Sequence, residues 1–159
     1  MSVTYASAPS VSGLIRNSGC PTCSCYASAS SSSLTDCPVS GDSSVVLTII
    51  GSNLLGSGIS VSVCAAAPTV VGSGGTQLTC NLKSGSAGGI VTVSVSGAAG
   101  GSVTASGITV QYALAPTITG VSHSGSGTLC AQSGSLALIN CPIVGGATLA
   151  VFGTNFGAG

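Results

Sequence analysis

Apolar and polar residues alternate with a period of two along several short stretches of this chain. In ISVSVC, residues 59–64, Ile59, Val61 and Val63 lie on one side of the pattern and two serines on the other. In IVTVSVS, residues 90–96, three valines alternate with one threonine and two serines. This alternation is typical of half-buried β-strands. Further strands are predicted at residues 10–14, 45–50, 77–82 and 107–112.

Glycine-rich stretches at residues 72–75 and 84–89 separate the predicted strands as turns. In the last predicted strand Ile108, Val110 and Tyr112 fall on the inward face. The alternation never changes to the period of 3.6 that marks an amphipathic helix. The pattern therefore predicts an all-β protein.

The chain contains an internal repeat. VTYASAPSVSG at residues 3–13 returns as VQYALAPTITG at residues 110–120, and residues 34–58 correspond to residues 138–159 once small insertions are allowed. The offset falls from 107 positions at the first pair of stretches to 102 at Gly51 and Gly153, so the period is near 105 residues. Solenoid repeats have periods of about 20–50 residues. A period this long predicts a string of whole domains.

We expect residues 1–7 to be the last strand of a preceding repeat and residues 8–113 to be one complete domain. Residues 114–159 then supply the first strands of a following, incomplete repeat. About seven short strands within one period are typical of an immunoglobulin-like β-sandwich. The predicted architecture is thus a tandem array of such sandwiches.

Charged side chains are almost absent. Arg16, Lys83, Asp36 and Asp42 make up 3% of the residues, whereas soluble domains carry about 25%. The chain is 44% apolar and can bury a core, and 30 serines and 15 threonines take the place of charges at its surface. Nucleic acids and anionic membranes need a basic surface, so neither is an expected partner. A neutral surface favours self-association, and no apolar run reaches the roughly 18–20 residues of a membrane span.

The titratable groups that catalysis needs are scarce. His123 is the sole imidazole, and we expect it in an exposed loop rather than in a triad with Ser122 or Ser124. Asp36 and Asp42 are expected in a structural turn rather than as paired catalytic carboxylates. Two aspartates are too few for a calcium site, and the glycines lack the spacing of a phosphate-binding loop. We expect a protein that is not an enzyme and that binds neither cofactor nor metal.

The cysteines are even in number and scattered. They are Cys20, Cys23, Cys25, Cys37, Cys64, Cys80, Cys130 and Cys141. Two facing CxxC pairs for zinc are missing, and CPTC at residues 20–23 lacks the βαβ context of a redox motif. We therefore expect structural disulfides and an oxidising, extracellular or cell-surface location.

The order of these elements resembles the IPT/TIG domain. The resemblance rests on the Ala-Pro entry to the first strand, the GTNFG element at residues 153–157, the strand pair SVSVC and QLTCNL, and the closing ITVQYA. It covers nearly the whole chain. GSNLLG at residues 51–56 departs from the family pattern because two leucines replace a single phenylalanine, and the cysteine-rich insertion at residues 17–33 is a second departure. The resemblance implies a spacer or interaction module of large extracellular proteins.

The resemblance also implies a disulfide between Cys64 and Cys80 on neighbouring strands. The internal repeat equates the spacing of Cys130 and Cys141 with that of Cys25 and Cys37, which predicts one bridge within each pair. The remaining two cysteines, Cys20 and Cys23, are then left for each other.

Two functions are compatible with the sequence. The first is a structural repeat unit of an extracellular fibre or surface filament. The alternative is an adhesive or ligand-binding ectodomain of a cell-surface protein. Binding surfaces are enriched in aromatic residues and arginine, and this chain has three tyrosines, two phenylalanines and one arginine. The shortage favours the structural function.

Sugars on the protein are expected to be O-linked. None of the asparagines begins an N-x-S/T sequon. A chain this poor in charge needs another solubilising layer unless assembly buries its surface. The candidate O-glycan residues are Ser28, Ser30, Ser31, Ser32, Ser33, Ser60, Ser62, Thr92, Ser94 and Ser96.

The two partial repeats predict assembly head to tail with other copies or repeats of the same chain. Neither residues 1–7 nor residues 114–159 can close a sandwich alone, because apolar faces and strand edges would stay unpaired. Either the chain is an excerpt of a longer array, or one copy's N-terminal strand completes another copy's last unit. The expected contact residues are Val3, Tyr5, Leu149, Val151 and Phe152.

Overall fold

The computed structural model describes residues 2–17, 25–27, 32–124, 130–143 and 147–156, and its regular elements are all β-strands. The chain divides into two compact units, Met1–Leu114 (unit 1) and Ala115–Gly159 (unit 2). The strands of unit 1 are β1 Ser10–Arg16, β2 Tyr26–Ala27, β3 Leu34–Cys37, β4 Asp42–Ser52, β5 Ser60–Val61, β6 Thr69–Val71, β7 Gln77–Leu82, β8 Ile90–Ala98 and β9 Gly101–Tyr112. Those of unit 2 are β10 Thr117–Ser124, β11 Ala131–Gln132, β12 Leu138–Ile139 and β13 Thr148–Thr154.

Two sheets form unit 1. The first has the order β1-β4-β7-β6, and every neighbouring pair in it is antiparallel. The second has the order β2-β3-β9-β8-β5, in which β3 and β9 run parallel and the other pairs antiparallel. Two such sheets around one core are an immunoglobulin-like β-sandwich. The predicted all-β, immunoglobulin-like sandwich is confirmed for unit 1.

One apolar cluster joins both sheets of unit 1. It includes Leu14, Leu47, Ile49 and Leu78 from the first sheet and Val93, Val95, Val110 and Tyr112 from the second. The inward faces predicted at residues 59–63 and 108–112 are both buried, with no inward side chain more than 6% exposed. Alternation alone therefore assigned these faces correctly.

Residues 59–64 differ from the prediction in extent. The stretch is a strand only at Ser60–Val61, a turn follows, and Cys64 then bridges to Leu82. Since β5 pairs with β8 and Leu82 belongs to β7, the chain passes here from the second sheet to the first. The hydrogen-bond ladder breaks at the crossing, but alternate side chains still reach the core that both sheets share. The short strands β2, β3 and β6 were not among those predicted.

Two disulfides tie unit 1 together. Cys25–Cys37 joins the start of β2 to the end of β3, and Cys64–Cys80 joins the crossing segment to β7. Both are pairs expected from the sequence. Each closes a short loop, which in the chain-entropy model stabilises a fold by about 3 kcal/mol. The expected Cys20–Cys23 bridge lies outside the described residues.

Unit 2 contains two antiparallel strand pairs, β10 with β13 and β11 with β12. Its disulfide joins Cys130 to Cys141, again an expected pair. The side-chain amide of Gln132 donates a 2.9 Å hydrogen bond to the carbonyl oxygen of Val121 and so links the two pairs. Among the described strands of this unit, each strand has a single hydrogen-bonded partner strand.

Tyr112 anchors the end of β9 in unit 1. Its side chain is 2% exposed, and its hydroxyl donates a 2.7 Å hydrogen bond to the carbonyl oxygen of Lys83. A Cβ at Gly85 would overlap the tyrosine ring, so the chain needs a glycine where it passes the ring. Burial raises the pKa of the Tyr112 hydroxyl.

Replacing Tyr112→Phe removes the donor to a carbonyl group beside the core. We expect the free energy of unfolding to fall by about 1–2 kcal/mol at neutral pH, because the carbonyl loses its partner while the ring stays packed. Chemical denaturation measures the change. Tyr26→Phe, which changes an exposed tyrosine of β2, is the control and is expected to cost less than about 0.5 kcal/mol.

The same pair of variants tests the pH dependence. The pKa of Tyr112 in the folded state lies above its unfolded value, so its contribution to stability is fully present below about pH 10 and falls as the pH rises through the folded-state pKa. Tyr112→Phe is therefore expected to lose less stability than the parent above that pH. Equal losses in both variants would contradict the assignment.

Candidate functional site

The strand pair β10·β13 of unit 2 repeats the pair β1·β4 of unit 1 in register. Subtracting 107 from the β10 number and 102 from the β13 number converts its first six residue pairs into the six pairs of β1·β4. The pair Val121 and Val151 of unit 2 thus corresponds to the pair Leu14 and Ile49 of unit 1. Both pairs also have a register irregularity at the same position, before Gly13 and before Gly120.

A pair of hydroxyls occupies the same place at the end of both strand pairs. In unit 1 the Oγ atoms of Ser10 and Ser52 are 2.8 Å apart, and in unit 2 the Oγ1 atoms of Thr117 and Thr154 are 2.7 Å apart. Each is a cross-strand hydrogen bond between uncharged groups. The equivalence of the two units therefore extends from backbone register to side-chain contacts.

An asparagine follows the hydroxyl pair in both units. Asn53 and Asn155 have φ values of 56° and 59°, in the left-handed region that asparagine tolerates better than most residues. The side-chain amide of Asn53 donates to the carbonyl oxygen of Ala8 at 2.9 Å, and that of Asn155 to the carbonyl oxygen of Ala115 at 3.3 Å. Each asparagine thereby fixes the segment that leads into its first strand.

The disulfide-bonded strand pairs β2·β3 and β11·β12 are equivalent as well. Tyr26 opposite Thr35 corresponds to Ala131 opposite Ile139, and each pair is closed by its own disulfide. Asp36 and Asn140, one residue before the second cysteine, both have a φ of 55°. Unit 2 therefore contains counterparts of β1, β2, β3 and β4.

The two units differ in burial. Leu47 is 0% exposed and its counterpart Leu149 is 53% exposed, although the two residues are of the same type and hold the same register position. The apolar residues of unit 2 whose unit 1 counterparts are buried or pack against the core include Val121, Leu138, Ile143, Leu149, Val151 and Phe156. We call these six residues the uncovered face. It is the part of the second unit that the described residues leave open.

The first residues of the chain show the same contrast. Val3 is 76% exposed and Tyr5 is 87% exposed, whereas the residues at the same repeat positions, Val110 and Tyr112, are buried at the end of β9. The residues that follow are held in place, because Pro9 is buried and Ala8 accepts the bond from Asn53. Val3 and Tyr5 thus precede an anchored segment of unit 1.

Phe152 differs from the other expected contact residues of unit 2. It alternates with Val151 along β13 and corresponds to Ile50, so it lies on the opposite face of the strand from Leu149 and Val151. Its ring lies over Gly120, where a Cβ would be 3.4 Å from it. Phe152 is therefore not part of the uncovered face.

The candidate O-glycan residues divide by exposure. Ser60, Thr92 and Ser96 are exposed, while the other described candidates, Ser32, Ser33, Ser62 and Ser94, are half-buried. The hydroxyl of Ser62 donates to the carbonyl oxygen of Thr92 and accepts from the amide of Ser94, which ties it between strands. Ser28, Ser30 and Ser31 lie outside the described residues.

His123 lies within β10, opposite Leu149, and is half-buried. The expectation of an exposed loop histidine is wrong, because pairing with β13 extends the strand through this residue. Its Nδ1 atom is buried and has no hydrogen-bond partner in the part of the chain that the structure describes. No carboxylate there orients the ring through that atom, as the base of a catalytic triad requires.

The described ranges contain neither a cluster of metal-binding side chains nor a membrane-spanning helix. Within them no three His, Cys, Asp or Glu side chains come together as a group that could hold a metal ion. Nor do they include any helix with the length and hydrophobicity to cross a membrane.

Unit 1 has an open depression of about 570 Å³ beside β5 and β8. Serine and alanine side chains line much of it, together with Lys83 and the Cys64 end of a disulfide. Its volume is within the range of about 300–1,000 Å³ found for small-molecule sites, but those sites are lined mainly by apolar and aromatic side chains. Among the residues that the structure describes, no aromatic side chain lines this one.

The sandwich, its topology and its disulfides define unit 1 as an immunoglobulin-like domain. The family model for the IPT/TIG domain matches residues 25–112, more than half of the 159 residues, and the chain belongs to this family. No curated protein and no solved structure matches the chain. IPT/TIG domains are in general binding or structural modules rather than enzymes, and together with three disulfides the domain indicates an extracellular or secreted protein.

Sequence reasoning missed four members of the uncovered face, namely Val121, Leu138, Ile143 and Phe156. The signal that identifies them is the repeat itself, since the same offsets carry each of them onto an apolar core residue of unit 1. The signal lies in single positions of the repeat rather than in whole stretches.

The matched pair Leu47→Ala and Leu149→Ala tests the contrast in burial. Leu47→Ala is expected to lower the free energy of unfolding of unit 1 by about 2–5 kcal/mol, because it opens a cavity in a closed core. Leu149→Ala in dilute, unassembled protein is expected to change the stability by no more than about 0.5–1 kcal/mol, as for an exposed residue. Denaturant titration at low protein concentration measures both. A large loss for Leu149→Ala would show that the uncovered face is buried after all.

Proposed function

We propose that this protein is a structural module of an extracellular assembly, in which IPT/TIG units are joined head to tail. The observation that carries the proposal is the uncovered face. It has the register, hydrogen bonds and apolar residues of a sandwich sheet, but four of its six residues are exposed to solvent. A sheet with one apolar face needs a second layer, so the face is built to be covered.

The surface chemistry supports an assembled rather than a catalytic function. The chain has formal net charge 0 and only four charged side chains, so copies do not repel one another. The exposed strands present hydroxyls, which bond to each other across strands as in the pair formed by Ser60 and Ser96 at 2.8 Å. Such a surface packs against a like surface without burying an unpaired charge.

The second candidate is a ligand-binding ectodomain, and the depression beside β5 and β8 is the observation that favours it. Serine hydroxyls and one ammonium group suit a small polar ligand such as a saccharide. The lack of aromatic side chains there makes it the weaker candidate. A monomer that binds a soluble saccharide and loses it on Lys83→Ala would favour the second function over the first.

We further propose that the assembled surface carries O-linked sugars at Ser60, Thr92 and Ser96. These are the described candidates whose side chains are exposed. An attached sugar adds hydroxyls without adding charge, which fits a surface that is already hydrated by serine and threonine.

Self-association tests the structural function. We expect sedimentation velocity to show the chain growing into larger species as its concentration rises, because burial of the uncovered face is favourable. Leu149→Glu, which puts a charge on that face, is expected to shift the association to concentrations at least about tenfold higher. Ile90→Glu is the matched control, since Ile90 is an exposed apolar residue of unit 1 and its replacement is expected to leave the association unchanged. A parent chain that stays monomeric throughout would contradict the proposal.

Peptide-level mass spectrometry of protein from its native source tests the sugars. We expect hexose or pentose additions on peptides that contain Ser60, Thr92 or Ser96, and none at Ser62, whose hydroxyl is bonded between strands. Unmodified peptides at all three exposed positions would refute the glycan proposal and leave the assembly proposal standing.

A further inference from the structure

In unit 1 the strand that covers the counterpart of the uncovered face is β9. It lies beside β3 in parallel, with Val110 opposite Leu34 and Tyr112 opposite Cys37. The step from Leu34 to Cys37 is three positions along β3, whereas the matching step from Val110 to Tyr112 is two positions along β9. Asp36 makes this mismatch possible through its left-handed φ of 55°.

Unit 2 keeps the positions that set the register of that pairing. Leu138 and Cys141 stand where β3 has Leu34 and Cys37, and Asn140 has the same φ of 55°. Among the described residues β12 pairs with β11 alone, so the edge that β9 occupies in unit 1 is open in unit 2. A strand that pairs with this edge as β9 pairs with β3 has a defined register and runs parallel to β12.

The chain also carries a copy of the covering strand. Val3, Thr4 and Tyr5 match Val110, Gln111 and Tyr112, and the copy is exposed instead of packed. Exposed valine and tyrosine side chains at alternate positions are what an inward strand face needs. Because Pro9 and Ala8 fix the segment that follows, these residues extend from an anchored point.

We infer that Val3–Tyr5 of one copy add to unit 2 of a second copy as a strand parallel to β12, with Val3 opposite Leu138 and Tyr5 opposite Cys141. The inference rests on the proposed function and names the partner and the register of its contact. Added strands gain affinity from backbone hydrogen bonds and specificity from alternate side chains. Here Val3 and Tyr5 cover the uncovered face, and Thr4 points away from it as Gln111 does in β9.

Each copy gives one strand and receives one at a different place. A contact of this kind is heterologous, and it continues from copy to copy unless the rotation closes a ring. The added strand supplies only part of the second layer that β9 and β8 provide in unit 1. The contact is therefore expected to be reversible and to depend on protein concentration.

The test introduces the same charge at alternate positions. Val3→Asp and Tyr5→Asp place a carboxylate on the inward side of the added strand and are each expected to weaken self-association by at least about tenfold, because a buried carboxylate without a partner loses its hydration. Thr4→Asp is the matched control and is expected to leave the association within about threefold of the parent. The positions are 76% and 87% exposed at Val3 and Tyr5, so the variants do not disturb the fold of unit 1.

Complementation separates donor from acceptor. Tyr5→Asp weakens the donor and Leu149→Glu the acceptor, and each variant alone is expected to be monomeric at a concentration at which the parent has begun to assemble. Their mixture is expected to form a heterodimer that does not grow further, since one intact donor and one intact acceptor remain. Absence of a heterodimer would overturn the inference.

Photo-crosslinking tests the register directly. With p-benzoylphenylalanine in place of Tyr5, we expect crosslinks to the peptides around residues 138–143 and 149–156 of a second copy, distinguished by isotope labelling. The same probe at Tyr26, an exposed tyrosine of β2, is the control and is expected to give none. Crosslinks within one chain would overturn the choice of a second copy as partner.

The outcomes distinguish this inference from the proposed function. If the parent self-associates and all three aspartate variants behave alike, the strand register is wrong while head-to-tail assembly stands. If the parent never self-associates, both fail.

Discussion

The structure depends on one constraint, which is that a β-sheet with an apolar face has to be covered by a second layer. In unit 1 the β1-β4 face is covered, and Leu47 and Ile49 are fully buried there. Burial of a side chain of this size stabilises a fold by about 1.5–3 kcal/mol. The same register and nearly the same residues in unit 2 leave Leu149 and Val151 half exposed. The sequence of a strand pair therefore decides its shape, and the presence of the covering strands decides whether it has a core.

Hydroxyls replace charges in the contacts that hold the strand ends. The pairs Ser10 with Ser52 and Thr117 with Thr154 each join two strands through a single short hydrogen bond. A hydroxyl is both donor and acceptor, so such a pair is satisfied without a counter-ion. Natural sheets use charged residues, lysine above all, to keep exposed edges from pairing with other chains. A protein with almost no charge lacks this protection at the edges of its sheets.

The sequence predicted the sandwich because its inward faces alternate cleanly, as at Ile108, Val110 and Tyr112. It predicted the bridges Cys25–Cys37 and Cys130–Cys141 because a repeat conserves spacing within one chain. It did not predict the short strands β2, β3 and β6, since two to four residues carry too little pattern to be told from a loop. The strand position of His123 was missed for a different reason, because that strand is extended by its partner and not by its own composition.

The register in which a strand can pair with the open edge of β12 was beyond sequence reasoning. It depends on the left-handed φ of Asn140, which sets how many residues oppose each other, and a single asparagine does not reveal its φ. Gly51 and Gly153 show the same limit. A Cβ at either would overlap a carbonyl oxygen of the first strand of its unit, so each must be glycine, yet in the sequence they are two among 25 glycines. Contacts between strands that are distant in the chain fix these positions.

The pairing of β3 with β9 also explains why a Val-x-Tyr stretch comes shortly before the first strand of each unit. It joins segments far apart in the chain, as the hydrogen bond from Ser33 to Gly107 across 74 positions shows, and a parallel pair needs a long connection. The closing strand of unit 1 is therefore its last element, and Val110-Gln111-Tyr112 leads within a few residues through Ala115-Pro116 into β10. Val3-Thr4-Tyr5 leads in the same way through Ala8-Pro9 into β1. The segment that leads from a closing strand to the first strand of the next unit is therefore nearly the same at both places in the chain, which is why the proposed contact between copies requires only residues that the repeat already contains.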